Sequence, residues 1–435
     1  MSGTKRWKRA SAALGAAALA TSLLLTGCGR AETPSGGGAT SSAASINDSP
    51  ATGDLNVWAQ ADEAAALPKF AEEFMKANPG LKITVTALPW DAAHNKYQTA
   101  IASGTTPDMA QMGTTWMADF SDAFQTVPQG IDTSDFFEGS LNTNKVGDQL
   151  LGVPWYVDTR VIYYRTDLAQ KAGWSQAPKT WDEFKQFLKD LKSKAGAKWG
   201  ISLPNGGEAD GFQSMLMFPW SNGANLTDEG QTKWTLDTPE FVSAMEYYKS
   251  LFTDGLADAN PATGAGASES RFVSGDTPVL IAGPSGIGSI SKAGGGDAYK
   301  SKFSVMRVPA QKSSTSFTGG SNLVVFKQAK NADAAWKFAR WLSKPEIQVK
   351  WQKTIGDLPA KQSAWKDKSL ADDPHLSVFG EQLADTKAPP ALLTWTQVSA
   401  QADKALEQIV RGGKDPAAVM KDLQSQADSI GTGRR

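Results

Sequence analysis

Gly152-Val153-Pro154-Trp155-Tyr156-Val157-Asp158-Thr159-Arg160-Val161-Ile162-Tyr163-Tyr164-Arg165-Thr166-Asp167-Leu168 is the stretch on which the reading of the fold turns. Gly152 and Pro154 interrupt any preceding element. Trp155, Tyr156, Asp158 and Arg160 then put two aromatic faces and two opposite charges side by side. Residues 161–164 form a short β-branched and aromatic run, which predicts a strand. Such a segment leaves one domain and enters the core of another, and small-molecule sites favour that kind of crossing. A tight turn ahead of an ordinary buried strand fits the same residues, so the rest of the chain has to decide.

At 435 residues the chain is long enough for two or three domains, and its formal charge of −1 offers no nucleic-acid surface. Lys5, Arg6, Lys8 and Arg9 precede an Ala/Leu-rich run over residues 10–25, a signal-peptide pattern whose apolar core is too short to span a bilayer. The run ends in Leu25-Thr26-Gly27-Cys28, which resembles the lipobox of bacterial lipoproteins, where cleavage before the cysteine leaves it to carry lipid. Cys28 is the only cysteine, so no disulfide within the chain can form and the export signal alone argues for an outside location. Residues 1–27 are therefore expected to be a lipoprotein signal peptide. The Gly-, Ser-, Ala- and Thr-rich residues 28–52 are expected to be a flexible tether, with the folded body starting near Gly53.

Leu55, Val57 and Ala59 alternate with polar neighbours as a strand. A helix capped by Asp62 follows, with Leu67, Phe70, Phe74 and Met75 as its stripe, stopped at Asn78-Pro79-Gly80. Leu81, Ile83 and Val85 alternate again. This strand–helix–strand unit implies a parallel sheet. Residues 107–112 read as a further strand, and Thr180-Trp181-Asp182-Glu183 as a capping box. Thr238-Pro239 opens another helix, residues 279–282 and 322–326 are buried strands, and Gly412-Gly413 separates two terminal helices. The glycines at 283–288 and 294–296 read as loops, since no Gly-Lys-Ser/Thr follows them to cradle a phosphate.

With only His94 and His375, a histidine-based triad or zinc site is poorly supported, and no cofactor or metal is expected. Paired carboxylates stay open, because a glycosidase needs only two acids; Asp62, Glu63, Asp108, Asp158 and Glu208 all sit near loop ends. Helix capping accounts for Asp62 equally well, and turn chemistry for Asp108. Tryptophan is the stronger signal. Of 15, only Trp7 falls in the leader, and Trp58, Trp116, Trp155, Trp220 and Trp395 lie in polar or loop contexts. Indole planes suit the flat C–H faces of sugars, while Asp, Glu, Asn, Arg and Gln suit their hydroxyls. Trp155, Trp220 and Trp395 serve equally well as core or as stacking platforms on this evidence, whereas Trp336, Trp341 and Trp351 read as core.

Family pattern then adds to this. Ser103-Gly104-Thr105-Thr106-Pro107-Asp108, the stretch from Gly152 to Asp158 with Tyr163-Tyr164-Arg165, and Thr180-Trp181-Asp182-Glu183-Phe184 occur in that order. Phe218-Pro219-Trp220-Ser221-Asn222-Gly223-Ala224, Phe272-Val273-Ser274-Gly275-Asp276, Gly319-Gly320-Ser321-Asn322 and Leu358-Pro359-Ala360 follow. From Asp54 onward the chain resembles the extracellular solute-binding proteins of ABC sugar importers, the maltose-binding-like family. The resemblance implies an α/β, type II periplasmic-binding-protein-like fold, with two α/β lobes joined by a three-segment hinge. Lobe 1 would be residues 53–157 plus 311–357 and lobe 2 residues 158–310 plus 358–435, with crossings near 157–160, 308–315 and 356–361.

It further implies a non-catalytic, monomeric receptor, anchored through Cys28 on the extracellular face of the cell membrane and handing a carbohydrate to ABC permease subunits. Its site would draw on Gln60, Asp62, Glu63, Asp108, Met112, Thr115, Trp116, Gly320, Ser321 and Asn322, and on Trp155, Asp158, Glu208, Trp220 and Trp395. One departure stands out: the family's usual Gly-Pro-Trp is Gly283-Pro284-Ser285 here, which replaces a stacking platform with Ser285, a hydrogen-bonding group at most. A secreted glycoside hydrolase and a receptor for a non-sugar solute such as a polyamine are the rival readings.

Overall fold

Leu55, Val57 and Ala59 turn one face of β1 (Gly53–Gln60) into the core. The computed structural model describes residues 45–206, 211–261, 264 and 266–434, and all that follows concerns those residues. β1 runs parallel to β2 (Leu81–Leu88), from Gly53 opposite Leu81 to Gln60 opposite Leu88. Between them α1 (Ala61–Ala77) buries Leu67, Phe70 and Phe74 at helical spacing. Its N-cap is Gln60 and not Asp62, which falls in the first turn, because Ala61 takes φ 41° and turns the chain from strand to helix in one residue. α2 (Trp90–Ser103) leads to β3 (Met109–Gly113), on the other side of β1.

β4 (Val153–Thr159) and β5 (Val161–Arg165) come from the stretch around Tyr156, separated only by Arg160. β6 (Val279–Ala282), β7 (Phe303–Met306), β8 (Ser316–Val325) and β9 (Leu358–Pro359) follow. A seven-stranded sheet has the order β9-β4-β8-β3-β1-β2, with Thr386–Lys387 beside β8; a three-stranded sheet has the order β6-β5-β7. The chain therefore passes from the large sheet to the small one at Arg160 and returns along β8. This is the crossing that the opening stretch predicts.

Alternation on the small sheet serves two cores. Ile162, Val279 and Met306 join the cluster covered by α3 (Trp181–Asp190), α4 (Pro239–Thr253), α8 (Trp395–Val410) and α9 (Pro416–Ile430). Val161, Tyr163, Leu280 and Val305 face the cluster shared with the large sheet, α6 (Ala332–Leu342) and α7 (Pro345–Ile355). The capping box is formed, with Thr180 accepting from the Glu183 amide and Glu183 from the Thr180 amide, and Thr238 caps α4.

Three local readings differ from the structure. The glycine-rich segment after β6 is not a loop throughout: α5 (Ser285–Ala293) runs through it, held by buried Ile290 and by Gly286, where a Cβ would come within 2.9 Å of Tyr163. The residues just before Gly53 are fastened to the body by polar contacts that low apolar content does not reveal. Ile46 N–H donates to Gln129 (3.0 Å), Ala51 N–H to Asn78 (2.7 Å), Lys337 to Ser49 (3.2 Å) and Arg340 to Asp48 (3.1 Å). Finally, Leu358 and Pro359 pair with Val157 and Tyr156 in the large sheet, although the sequence reading groups them with the second lobe.

Candidate functional site

The parallel strands β1, β2 and β3 end side by side, and the polar residues at those ends are bound into one buried network. Gln60 N–H donates to Gln111 Oε1 (2.8 Å), and Gln60 Nε2 donates to the Tyr97 hydroxyl (2.6 Å), which donates to the Gln111 carbonyl (2.9 Å). Gln111 Nε2 reaches Ser321 Oγ (3.1 Å), Tyr156 Oη (3.2 Å) and Glu63 Oε1 (3.3 Å). Tyr156 donates to Glu63 and accepts from Ser321. Buried polar groups are tolerated when paired in this way, and the pairing fixes their positions. Burial, then the charges of Asp357 and Glu63, hold the Tyr156 hydroxyl well above the usual phenol range, so it stays a donor.

Beside this network lies the crossing. Arg160 pairs with Asp158, and Gly283 lets both approach: a Cβ there would lie 2.6 Å from Asp158 Oδ1 and 2.7 Å from Arg160 Nη1. Asp158 Oδ1 and Gln60 Oε1 are buried acceptors with no hydrogen-bond partner among the described residues. Asp357, just before β9, donates nothing and accepts from the Trp351 indole N–H (2.9 Å). Burial pushes its carboxyl up to about 7, against that hydrogen bond and with the charges of Glu63, Asp158 and Asp62 adding to the rise. Four carboxylates therefore share the site with one guanidinium. Among the described residues no cluster of His, Cys, Asp and Glu is arranged to hold a metal ion.

Aromatic rings border the same strand ends. Trp116, just after β3, meets Trp90 at the start of α2 edge-on, centroids 5.4 Å apart, with Gly113 tight beneath it. A cavity of about 610 Å³ opens at the crossing, lined among others by Arg160, Ser202, Asn205 and Ala282. A larger one, about 980 Å³, lies away from the carboxylates, between Glu138, Lys145, Asp228 and Lys387. Of the polar network, the ion pair and the aromatic rings, Arg160 alone lines the smaller one.

The expected site residues divide accordingly. Gln60, Glu63 and Ser321 are brought together in the network; Asp62 is exposed in the first turn of α1, and Thr115 and Trp116 are half-buried at the end of β3. Gly320 has φ 115° and presses against the Tyr156 carbonyl, where a Cβ would sit 2.3 Å away, so it positions the strand. Ser285 is exposed at the first residue of α5.

Others are held inside. Asp108 accepts from the amides of Asn56 (2.8 Å), Lys330 (2.6 Å) and Asn331 (3.0 Å), which occupies both oxygens. Met112 is core, and Asn322 is bonded to Asn144 (2.8 Å) and Thr143. Trp155 packs on Trp351 (4.6 Å), Trp395 on Trp234 (6.2 Å), and Trp220 is buried in the same cluster as Trp395. Cys28 and Glu208 lie outside the described residues. The sequence reading missed Gln111, Asp357 and Trp90. Asp357 directly precedes the Leu358-Pro359-Ala360 motif and Trp90 follows a strand end, signals that a search of strand termini would have caught.

An α/β chain that crosses between two sheets, with acceptors and aromatic rings at the strand ends, has the make-up of a solute receptor. The chain belongs to the bacterial extracellular solute-binding protein family, whose model matches residues 69–378. It is similar to the sugar-binding protein MalE of Xanthomonas citri at 31% identity and a TM-score of 0.80, covering 87% of this chain and 97% of that one. It is also similar to the diacetylchitobiose-binding protein DasA of Streptomyces coelicolor, 26% identical over 86% of this chain and 88% of that one. The maltotriose-binding protein of Pyrococcus abyssi is 24% identical, over 86% and 82%. The fold is that of the type II periplasmic binding proteins. The chain is an extracellular solute-binding receptor of the ABC-importer type, and not an enzyme.

Proposed function

We propose that the solute is a neutral di- or oligosaccharide, bound between two lobes that close about the crossings at Arg160, β8 and β9. The observation that carries this reading is the set of acceptors at the strand ends: Gln60 Oε1 and Asp158 Oδ1 lack partners, and Asp62 is exposed beside them. Hydroxyl groups donate to such atoms, and the Trp116 ring supplies a plane for the C–H face of a sugar. The charge balance argues against an anionic solute, since Arg160 is already paired with Asp158. The named sugars of similar proteins agree in class: maltotriose for one, diacetylchitobiose for another. Closure would bury the sugar and offer the permease a form distinct from the open one.

The four carboxylates also favour an amine-bearing solute, so a polyamine is the second reading. A thermal-shift screen of the mature chain separates the two, because a ligand that binds only the folded state raises the midpoint with its excess over Kd. Maltose, trehalose, maltotriose and diacetylchitobiose are the sugars to test, with spermidine and glycerophosphocholine beside them. A shift with a sugar alone supports the proposal; a shift with spermidine alone replaces it.

The proposed lipid anchor rests on the lipobox-like ending at Cys28. Cys28→Ser should release the protein into the medium of expressing cells; retention on the membrane would remove the anchor from the account.

A further inference from the structure

A sugar asks more of its site than acceptors. Each hydroxyl accepts as well as donates, and ring and glycosidic oxygens only accept. At the strand ends the donors are already spent. Gln60 Nε2 goes to Tyr97 and to the Gln111 carbonyl, and Gln111 Nε2 is shared among Glu63, Tyr156 and Ser321. The Ser321 hydroxyl donates to Tyr156, the Tyr156 hydroxyl donates to Glu63, and Arg160 is paired with Asp158. Sugar oxygens placed there would turn their lone pairs towards carboxylates and unpaired acceptors, which costs affinity.

Asp357 is the group placed to correct this. It is half-buried and lies one step beyond the Leu358–Val157 pair, opposite Asp158. Its Oδ2 accepts from the Trp351 indole (2.9 Å), and its Oδ1 has no hydrogen-bond partner among the described residues. The charges acting on it are all negative: Glu63 and Asp62 from α1, and Asp158 from β4. The cations of the surrounding elements are engaged elsewhere. Arg160 holds Asp158, Lys350 and Lys353 of α7 hold Glu73 and Asp367, and Lys361 donates to the Asp132 carbonyl. Tyr156 of β4 keeps its proton. Burial, against the Trp351 hydrogen bond and with those negative charges adding, pushes the Asp357 carboxyl up to about 7. Below neutrality it is therefore a neutral acid with a proton to give.

We infer that Asp357 donates a hydrogen bond from Oδ1 to the bound sugar, supplying the donor that its neighbours lack. Sugar binding then takes up a proton and is tighter on the acid side of neutrality. This rests on the sugar reading proposed above. The sign follows from linkage: a sugar that needs the acid form raises the proton affinity of the site, so its own affinity falls as the free carboxyl ionises. An amine-bearing solute reverses the sign, because it favours the carboxylate and displaces the proton.

Calorimetric titration of the mature protein at pH 6 and pH 8 tests this, with maltose, trehalose, maltotriose and diacetylchitobiose in buffers of differing ionisation enthalpy. A sugar that binds should lose about tenfold in affinity between the two pH values and bring up to about one proton with it at pH 8. Asp357→Asn puts a permanent amide donor in place of the acid. It should bind about as tightly at pH 8 as at pH 6, without proton uptake. Asp357→Ala should lose about fivefold or more at pH 6 and be equally insensitive to pH. A wild-type affinity that is the same at both pH values overturns the inference while the sugar reading stands. So does a pH dependence that survives in Asp357→Asn, or full affinity of Asp357→Ala at pH 6. A wild type that binds none of the four sugars overturns the sugar reading, and this inference with it.

Discussion

Asp158 and Asp357 face each other across the β4–β9 pair. Leu358 lies opposite Val157 and Pro359 opposite Tyr156, and one step further the antiparallel register brings the two aspartates together. Like charges directly opposite on paired strands repel. Arg160 neutralises Asp158, and Asp357, buried and close to Glu63 and Asp62 as well, responds by holding its proton to about pH 7.

That shift has a consequence for stability. The folded carboxyl binds its proton more tightly than the unfolded one, whose ordinary value is 3.8, so this group weakens the fold progressively as pH rises from about 4 to about 7. Above pH 7 the full penalty remains. Asp357→Asn keeps an acceptor for the Trp351 indole and removes the charge. It is expected to stabilise the protein by about 1 to 4 kcal/mol at pH 8, with the gain fading towards pH 4. Denaturant titrations at both pH values measure it, and a gain independent of pH would contradict the assignment.

Tyr156 joins Glu63, Gln111 and Ser321 through one hydroxyl. Tyr156→Phe keeps the ring and strands three polar groups in the interior. It should lower stability by about 1 to 3 kcal/mol and weaken sugar binding too, because Glu63 is then free to reorient. Urea unfolding and titration on the same sample check both effects.

Asp108 offers the opposite pattern. Its carboxylate ties β1 to the chain entering α6 through the amides of Asn56, Lys330 and Asn331. Asp108→Ala should lower stability by about 3 kcal/mol or more, yet leave sugar affinity unchanged below the unfolding transition. A selective loss of affinity would return Asp108 to the ligand site.

Gly283 is where the small sheet touches the ion pair. A Cβ has no room between Asp158 and Arg160, so Gly283→Ala must push one of them aside. Sugar affinity should fall about tenfold, with a change in melting temperature of only a few degrees. Wild-type affinity would show that the pair lies outside the site.

The fold was legible where a local rule coincides with the tertiary outcome. Alternation in β1 and β2, the Thr180–Glu183 box and the Thr238-Pro239 start are each dictated within a few residues. The crossing at Arg160 was legible because aromatic, charged and β-branched residues change role there within one short stretch. The site was only partly so. Asp108 and Asn322 have the residue types of a sugar site, but Asp108 meets backbone amides and Asn322 the side chains of Asn144 and Thr143, partners from far along the chain. Trp155 became core because Trp351 of α7 packs on it, and Trp220 and Trp395 because they share a cluster with Trp234 and other residues remote in sequence, which no window around each tryptophan contains. Asp357 escaped notice because its importance comes from facing Asp158 across a two-residue strand.

The most direct measurement is a crystal structure of the mature protein with the sugar that gives the largest thermal shift. The account expects sugar hydroxyls within hydrogen-bonding distance of Gln60 Oε1 and Asp158 Oδ1, and a ring against Trp116. A sugar lodged instead in the cavity between Glu138, Lys145 and Lys387, with those two acceptors still vacant, would contradict it.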